Sequence, residues 1–135
     1  MKALNRKLKA YTLNELLIVL VIIGILILLA LPNLMPLISK TKGTEAKLQL
    51  KHVYTLERSH FMLKSQYSSD LNEIGFEHER TIDEGGNANY RIEVVEASPT
   101  TFKARATALA DFDGDGAINI WEIDQDQNLV EVVKD

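Results

Sequence analysis

The sequence predicts an α+β fold: one long N-terminal helix packed on a small antiparallel sheet of about three to four strands. Three observations carry it. From Leu16 to Leu31 the chain has no charged or hydrogen-bonding side chain. From Ala46 to Tyr67 apolar residues recur at three- and four-residue spacing, the period of an amphipathic helix. From Tyr90 onward the pattern switches to alternation broken by short turns, the pattern of meandering strands.

The apolar run, extended to Met35, is twenty residues long. At ~1.5 Å per residue a helix of that length matches the ~30 Å hydrocarbon core of a bilayer. A soluble core helix needs a polar face, and this one has none before Asn33. The run also exceeds the ~7–15 apolar residues of an ordinary secretory signal, and it leads directly into more helix. Pro32 and Pro36 each remove an N–H from the ladder, so a kink or a locally extended turn is expected there.

Ahead of the run stand Lys2, Arg6, Lys7 and Lys9 with no acid among the first ten residues. Such a basic flank stays cytoplasmic, which puts the body on the far side of the membrane. Glu15 is a carboxylate at the very edge of the apolar segment. An acid there is costly if it enters lipid and is a functional candidate by default, although a helix N-terminus also favours it.

Ala46, Val53, Leu56, His60, Leu63 and Tyr67, widened by Leu50, Tyr54 and Phe61, form the stripe expected to face the sheet. Lysines and arginines, with Glu57, fill most of the rest. The helix is expected to fade at Ser68-Ser69, where Ser69 or Asp70 can cap one further short turn. Gly85-Gly86-Asn87 marks a turn-rich connector over 81–89. Strands are expected over 90–96, 101–109, 117–124 and 129–133, with Trp121 as a core or rim anchor. The chain then divides into a basic leader (1–10), an apolar assembly helix (11–39), an amphipathic half (40–68) and a loop-and-sheet region (69–135).

The formal net charge is −4. Four of the fifteen basic residues lie in the first ten, so the remainder carries eleven against nineteen acids. That balance gives no support to nucleic-acid binding, which wants a basic stripe. Catalysis finds no constellation either. There is no cysteine, His52 and His60 stand two turns apart, His78 is alone among acids, and no Gly-rich phosphate cradle follows a strand. No enzyme activity is expected.

The stretch AYTLNELLIVLVIIGIL resembles the class III leader and N-terminal helix of type IV pilins and the pseudopilins of type II secretion. Their pattern is a basic leader, a Gly, an aromatic residue, Thr-Leu, any residue, Glu and an apolar helix. Here Ala10 replaces the Gly, Tyr11 is the aromatic residue, and Glu15 falls at the family's acid. Gly24 and Pro32 also fall where pilin helices carry Gly and Pro. The resemblance implies cleavage by a prepilin peptidase between Ala10 and Tyr11, and methylation of the new Tyr11 amine. It further implies delivery through an inner-membrane assembly platform and a homopolymer built from N-terminal helices, in which Glu15 meets the Tyr11 amine of a neighbour. It places the body in the periplasm, then in a periplasmic or surface filament. The alternative is a single-pass membrane protein that does not polymerise and whose exported calcium-binding domain meets a partner.

A second feature with chemistry is Asp111-Phe112-Asp113-Gly114-Asp115-Gly116, which matches the calcium-loop template D-x-D-x-D-G. Asp111, Asp113 and Asp115 supply oxygens from alternate residues and Gly116 permits the sharp turn. Ala117 offers a carbonyl, Asn119 an oxygen, and Glu122 a bidentate carboxylate. The flanks read as strands rather than helices, so Asp124 or Asp126 can stand in for Glu122. A plain Asp/Gly turn is the other reading. Calcium is the expected cofactor, since magnesium prefers to keep its waters. In a chain without disulfides such an ion would pin the C-terminal strands.

Overall fold

A computed structural model describes residues 10–135. The basic leader, apart from Ala10, lies outside the described residues. One helix, α1, runs from Leu13 to Lys64, followed by a 3-10 turn at Ile82–Glu84. Four strands come next: β1 Tyr90–Ala97, β2 Phe102–Ala108, β3 Ile120–Asp124 and β4 Leu129–Val133. The chain separates into two compact units, Met1–Leu34 and Met35–Asp135.

The apolar part of α1 is helix with its large side chains exposed, from Leu16 at 50% to Leu28 at 70%. Its length and composition suffice to cross a membrane. Of the two outcomes expected at Pro32 and Pro36, the locally extended turn is not formed, because the helix is continuous from Leu13 to Lys64. Leucine, isoleucine and valine keep the helix where no tertiary partner competes, and a proline inside it removes single hydrogen bonds without ending it.

In the second unit the sheet is antiparallel with order β1-β2-β3-β4. Its inner face carries two rows set by the register, Ile92–Ala106–Trp121 and Val94–Ala104–Ile123–Leu129. Ala104, Ala106 and Ala108 on β2 are fully or nearly fully buried. Their small side chains leave room for Ala46, Leu50 and Val53 of α1, which share one core with Phe102, Ile123 and Tyr90. Burying such side chains is worth roughly 1.5–3 kcal/mol each for the larger ones. A bulge between Val94 and Glu96 ends the alternation on β1.

Two expectations about α1 are corrected. The helix stops at Lys64 and Ser65 turns left-handed with φ 57°, so the stripe does not continue to Tyr67 on the helix. Leu63 is 83% exposed, whereas Glu57, placed by the pattern among the polar residues, is fully buried. The loop after the helix folds back, and Glu57 accepts the Ser68 N–H at 3.1 Å. Residues 71–75 form hydrogen-bonded turns rather than a helix, with Asp70 Oδ1 accepting the Asn72 N–H at 2.9 Å. The connector is pinned at Thr81 by a parallel bridge to Ala88, and Glu45 of α1 accepts both the backbone N–H and the side-chain amide of Asn89 at 2.8 Å.

Candidate functional sites

Ala10, Tyr11 and Thr12 precede the helix, and all three are exposed. The Ala10–Tyr11 peptide thus sits in non-helical, accessible backbone. Glu15 lies in the first turn of α1. Its Oε2 accepts the Thr12 N–H at 3.1 Å, while Thr12 Oγ1 accepts the Glu15 N–H at 3.3 Å. This reciprocal pair is a capping box, whose Ser/Thr-x-x-Glu signature stands at Thr12-Leu13-Asn14-Glu15. It satisfies two donors at the head of the apolar helix and aims a carboxylate at the N-terminal side, where the helix dipole favours negative charge.

At the other candidate site the structure brings together Asp111, Asp113, Asp115 and Asp135. One carboxylate oxygen from each lies within 4.8 Å of the others. The loop is built by its own side chains. Asp111 accepts the N–H groups of Gly114 and Gly116, both at 2.7 Å; Asp113 accepts Asp115 N–H at 3.0 Å; Asp115 accepts Ala117 N–H at 2.7 Å. Gly114 and Gly116 adopt φ of 81° and 91°, which suits glycine. The Gly116 N–H, aided by that of Gly114, lowers the Asp111 pKa. Asp113 also accepts a backbone N–H, from Asp115, which lowers its pKa, but partial desolvation and the charges of Asp115, Asp135 and Asp111 outweigh it and raise the value.

Asp135 is the ligand candidate that the sequence pattern missed. It accepts Phe112 N–H at 3.1–3.2 Å and the Ser39 hydroxyl at 3.2 Å. Nothing in the spacing of a contiguous loop template points to a carboxylate twenty residues away.

Two expected ligands lie outside this group. Glu122 faces outward on β3 directly opposite Arg105, whose Nε and Nη2 donate to its Oε1 at 2.8 and 2.6 Å. The alternation of a strand sends it to the face away from the loop. Asn119 is 2% exposed. Its Oδ1 accepts Tyr90 Oη at 2.7 Å and Trp121 Nε1 at 2.8 Å, and its Nδ2 donates to Glu131 at 2.8 Å and to Val133 O at 2.9 Å. All four of its hydrogen-bonding positions are used within the fold. Burial raises the Tyr90 pKa well above the ordinary tyrosine range, so this network stays neutral at Tyr90. Ala117 follows the loop with its N–H committed to Asp115. Asp124 caps its own turn, accepting from Asp126 and Asn128.

The four-aspartate group fits a hard divalent cation. Its donors are all carboxylate oxygens, they converge, and a bound cation would relieve their mutual repulsion. Soft-metal ligands are lacking at this group.

Among known proteins, the chain is 43% identical over 88 residues to the type IV major pilin protein PilA of Myxococcus xanthus (strain DK1622), a stretch covering 65% of this chain. The chain spans 38% of that relative's length. No protein-family model matches the chain. The similarity supports assignment to the type IV pilins, and the long helix packed on a four-stranded antiparallel sheet is a pilin-like fold.

Proposed function

We propose that this chain is a structural subunit of a type IV pilus-like filament or type II secretion pseudopilus, without catalytic activity. The observation that carries the reading is the apolar helix from Leu16 to Leu34, every large side chain of which is exposed, headed by the single acid Glu15. Such a surface has two stable environments, lipid or other apolar helices. In the first the chain is a single-pass membrane protein with its N-terminus cytoplasmic. In the second, after a prepilin peptidase cuts between Ala10 and Tyr11, the helices of successive copies bundle on an inner-membrane assembly platform. A carboxylate entering that bundle needs a cation, and the Tyr11 amine of a neighbour supplies one.

The test separates charge from capping. Glu15→Gln keeps a hydrogen-bond acceptor for Thr12 N–H and removes the charge. It is expected to insert in the membrane as the wild type does and to give no filaments. Normal filaments from Glu15→Gln overturn the pairing role. Direct determination of the first residue of the mature chain is expected to give Tyr11, and a retained leader overturns processing.

The acidic loop is proposed to hold calcium, with Asp111, Asp113, Asp115 and Asp135 as ligands. Bound there, the ion would tie the loop to the end of β4 and, through Asp135 and Ser39, to α1. Calcium at ~100 times its dissociation constant contributes about 2.7 kcal/mol to stability, a rise of several degrees in melting temperature. Asp113→Ala and Asp135→Ala are expected to abolish that rise, whereas Glu122→Ala leaves it. No response of the wild type to calcium removes the ion, and loss of the response in Glu122→Ala alone restores the loop-template ligand set.

A further inference from the structure

The second half of α1 and the rest of the folded body carry opposite charge. Residues 40–64 hold six basic and two acidic side chains, whereas residues 65–135 hold five basic and sixteen acidic ones. Both acids of the helical stretch are engaged: Glu57 is fully buried and Glu45 binds Asn89. Of its cations, Lys42 and Lys47 lie over the Phe112 and Trp121 rings and Arg58 donates to Tyr54 Oη, whereas Lys40, Lys51 and Lys64 make no such contact among the described residues. The ion pairs among the described residues are Arg91–Asp83 and Arg105–Glu122, and neither uses a cation of α1.

Lys40, Lys47, Lys51 and Arg58 follow one another at intervals of seven, four and seven residues. At 3.6 residues per turn that spacing puts them on one side of the helix, as a stripe roughly 27 Å long. Lys40, Lys51 and Arg58 are exposed. Leu48 beside the stripe and Met62 just beyond its end are 64% and 71% exposed. No carboxylate of α1 lies on the stripe, but Lys40 and Lys47 share a cavity with Glu131 and Asp135, so the stripe is most open at Lys51 and Arg58. It therefore offers cations around apolar patches, the composition of a binding face rather than of a solvated surface with mixed charges.

The complementary surface is the connection between α1 and β1. From Asp70 to Glu84 it carries six carboxylates, all exposed, against one cation, Arg80. Asp83 is paired with Arg91. Glu77 and Glu79 make no hydrogen bond or ion pair among the described residues. This connection cannot meet the stripe of its own chain. It packs beside Glu45 and Gln49, where Glu79, Thr81 and Glu84 line a cavity of about 290 Å³. Glu45 and Gln49 lie roughly 120–160° around the helix from Lys51.

We propose that the stripe Lys40–Arg58 of one copy docks on the Glu77–Glu84 connection of the next. The proposal rests on the filament reading and adds to it a contact between folded bodies. Because the two surfaces differ and sit on different sides of the subunit, their association is heterologous. A heterologous contact does not close on itself as a dimer, and where its rotation does not close into a ring it propagates as an open helical array. Charge complementarity fixes its register and speeds encounter more than it adds affinity.

The test uses the full chain in filament-producing cells. Lys51→Glu with Arg58→Glu, and separately Glu77→Lys with Glu79→Lys, are expected to lower filament yield roughly tenfold or more, since each juxtaposes like charges across the contact. All four substitutions together are expected to restore assembly, and Lys51→Arg with Arg58→Lys to leave it unchanged. These side chains are exposed, so each variant should keep the wild-type melting temperature. Wild-type yield from either reversal, or no recovery in the combined variant, overturns the contact while leaving the filament reading intact. A wild-type chain that never polymerises overturns that reading, and the contact falls with it.

Discussion

Glu57 shows how one buried side chain sets a stability profile. It is fully buried, its Oε1 has no partner among the described residues, and its Oε2 holds the Ser68 N–H. Burial raises its pKa above the ordinary 4.5, against the opposing pull of the Ser68 bond and His60; Glu73 adds to the rise. The sign follows from linkage. Below pH 4.5 Glu57 is protonated in both states and costs nothing. As pH rises through its folded value, the unfolded chain gains more from ionisation, and stability falls. Glu57→Gln, which keeps an acceptor for Ser68, is expected to melt higher than wild type at neutral pH, with the advantage vanishing on acidification below 4.5. An equal difference at both pH values contradicts this account.

Asn119 makes the opposite case, a buried polar group with every valence met. Asn119→Ala strands Tyr90 Oη, Trp121 Nε1 and Glu131, and is expected to cost about 2–4 kcal/mol in denaturant unfolding, from the ~1–3 kcal/mol for each buried group left unpaired. A loss under 0.5 kcal/mol contradicts a structural role. The residue was legible as special, but the structure engages it within the fold rather than bringing it to the aspartate group. Its place in a calcium-loop template and its place at the head of a strand predict different partners, and only the three-dimensional register decides between them.

At the scale of elements, alternation carried most of the information. All four strands were legible because each buries one face against apolar residues, and the turns between them are marked by Ser98-Pro99, Asp111–Gly116 and Gln125–Asn128. The end of α1 was not legible. Leu63 and Tyr67 continue the apolar period, but the left-handed turn at Ser65 takes Tyr67 off the helix, where it packs on Phe102 and Phe61 instead. The connector depends on one glycine. A Cβ on Gly86 would sit 1.9 Å from Arg80 O, inside any tolerable contact. Gly86→Ala is expected to lower stability by about 1–3 kcal/mol, with amide protection lost first between Thr81 and Ala88. Gly43 contrasts with it: an added Cβ there meets Trp121 Nε1 at 3.7 Å, an ordinary contact. The capping box at Thr12–Glu15 was written in the sequence as a local signature, and it shows that Glu15 already has a local role in a single copy.

On the scale of the whole molecule the chain holds two surfaces open to contact. The apolar helix is exposed along its length, and the cationic stripe on the second half of α1 is open at Lys51 and Arg58, while Lys40 and Lys47 share a cavity with Glu131 and Asp135. In the proposed filament, bundling would cover the first by exchanging lipid for neighbouring side chains, and the acidic connection of another copy would meet the second. With no cysteine for a disulfide, the proposed ion at the four aspartates would close the loop against β4. The filament reading is a claim about copies of one chain in contact. Electron microscopy of material sheared from cells producing the full chain tests it most directly. The account predicts filaments built from subunits that begin at Tyr11; material that is monodisperse and keeps its first ten residues contradicts it.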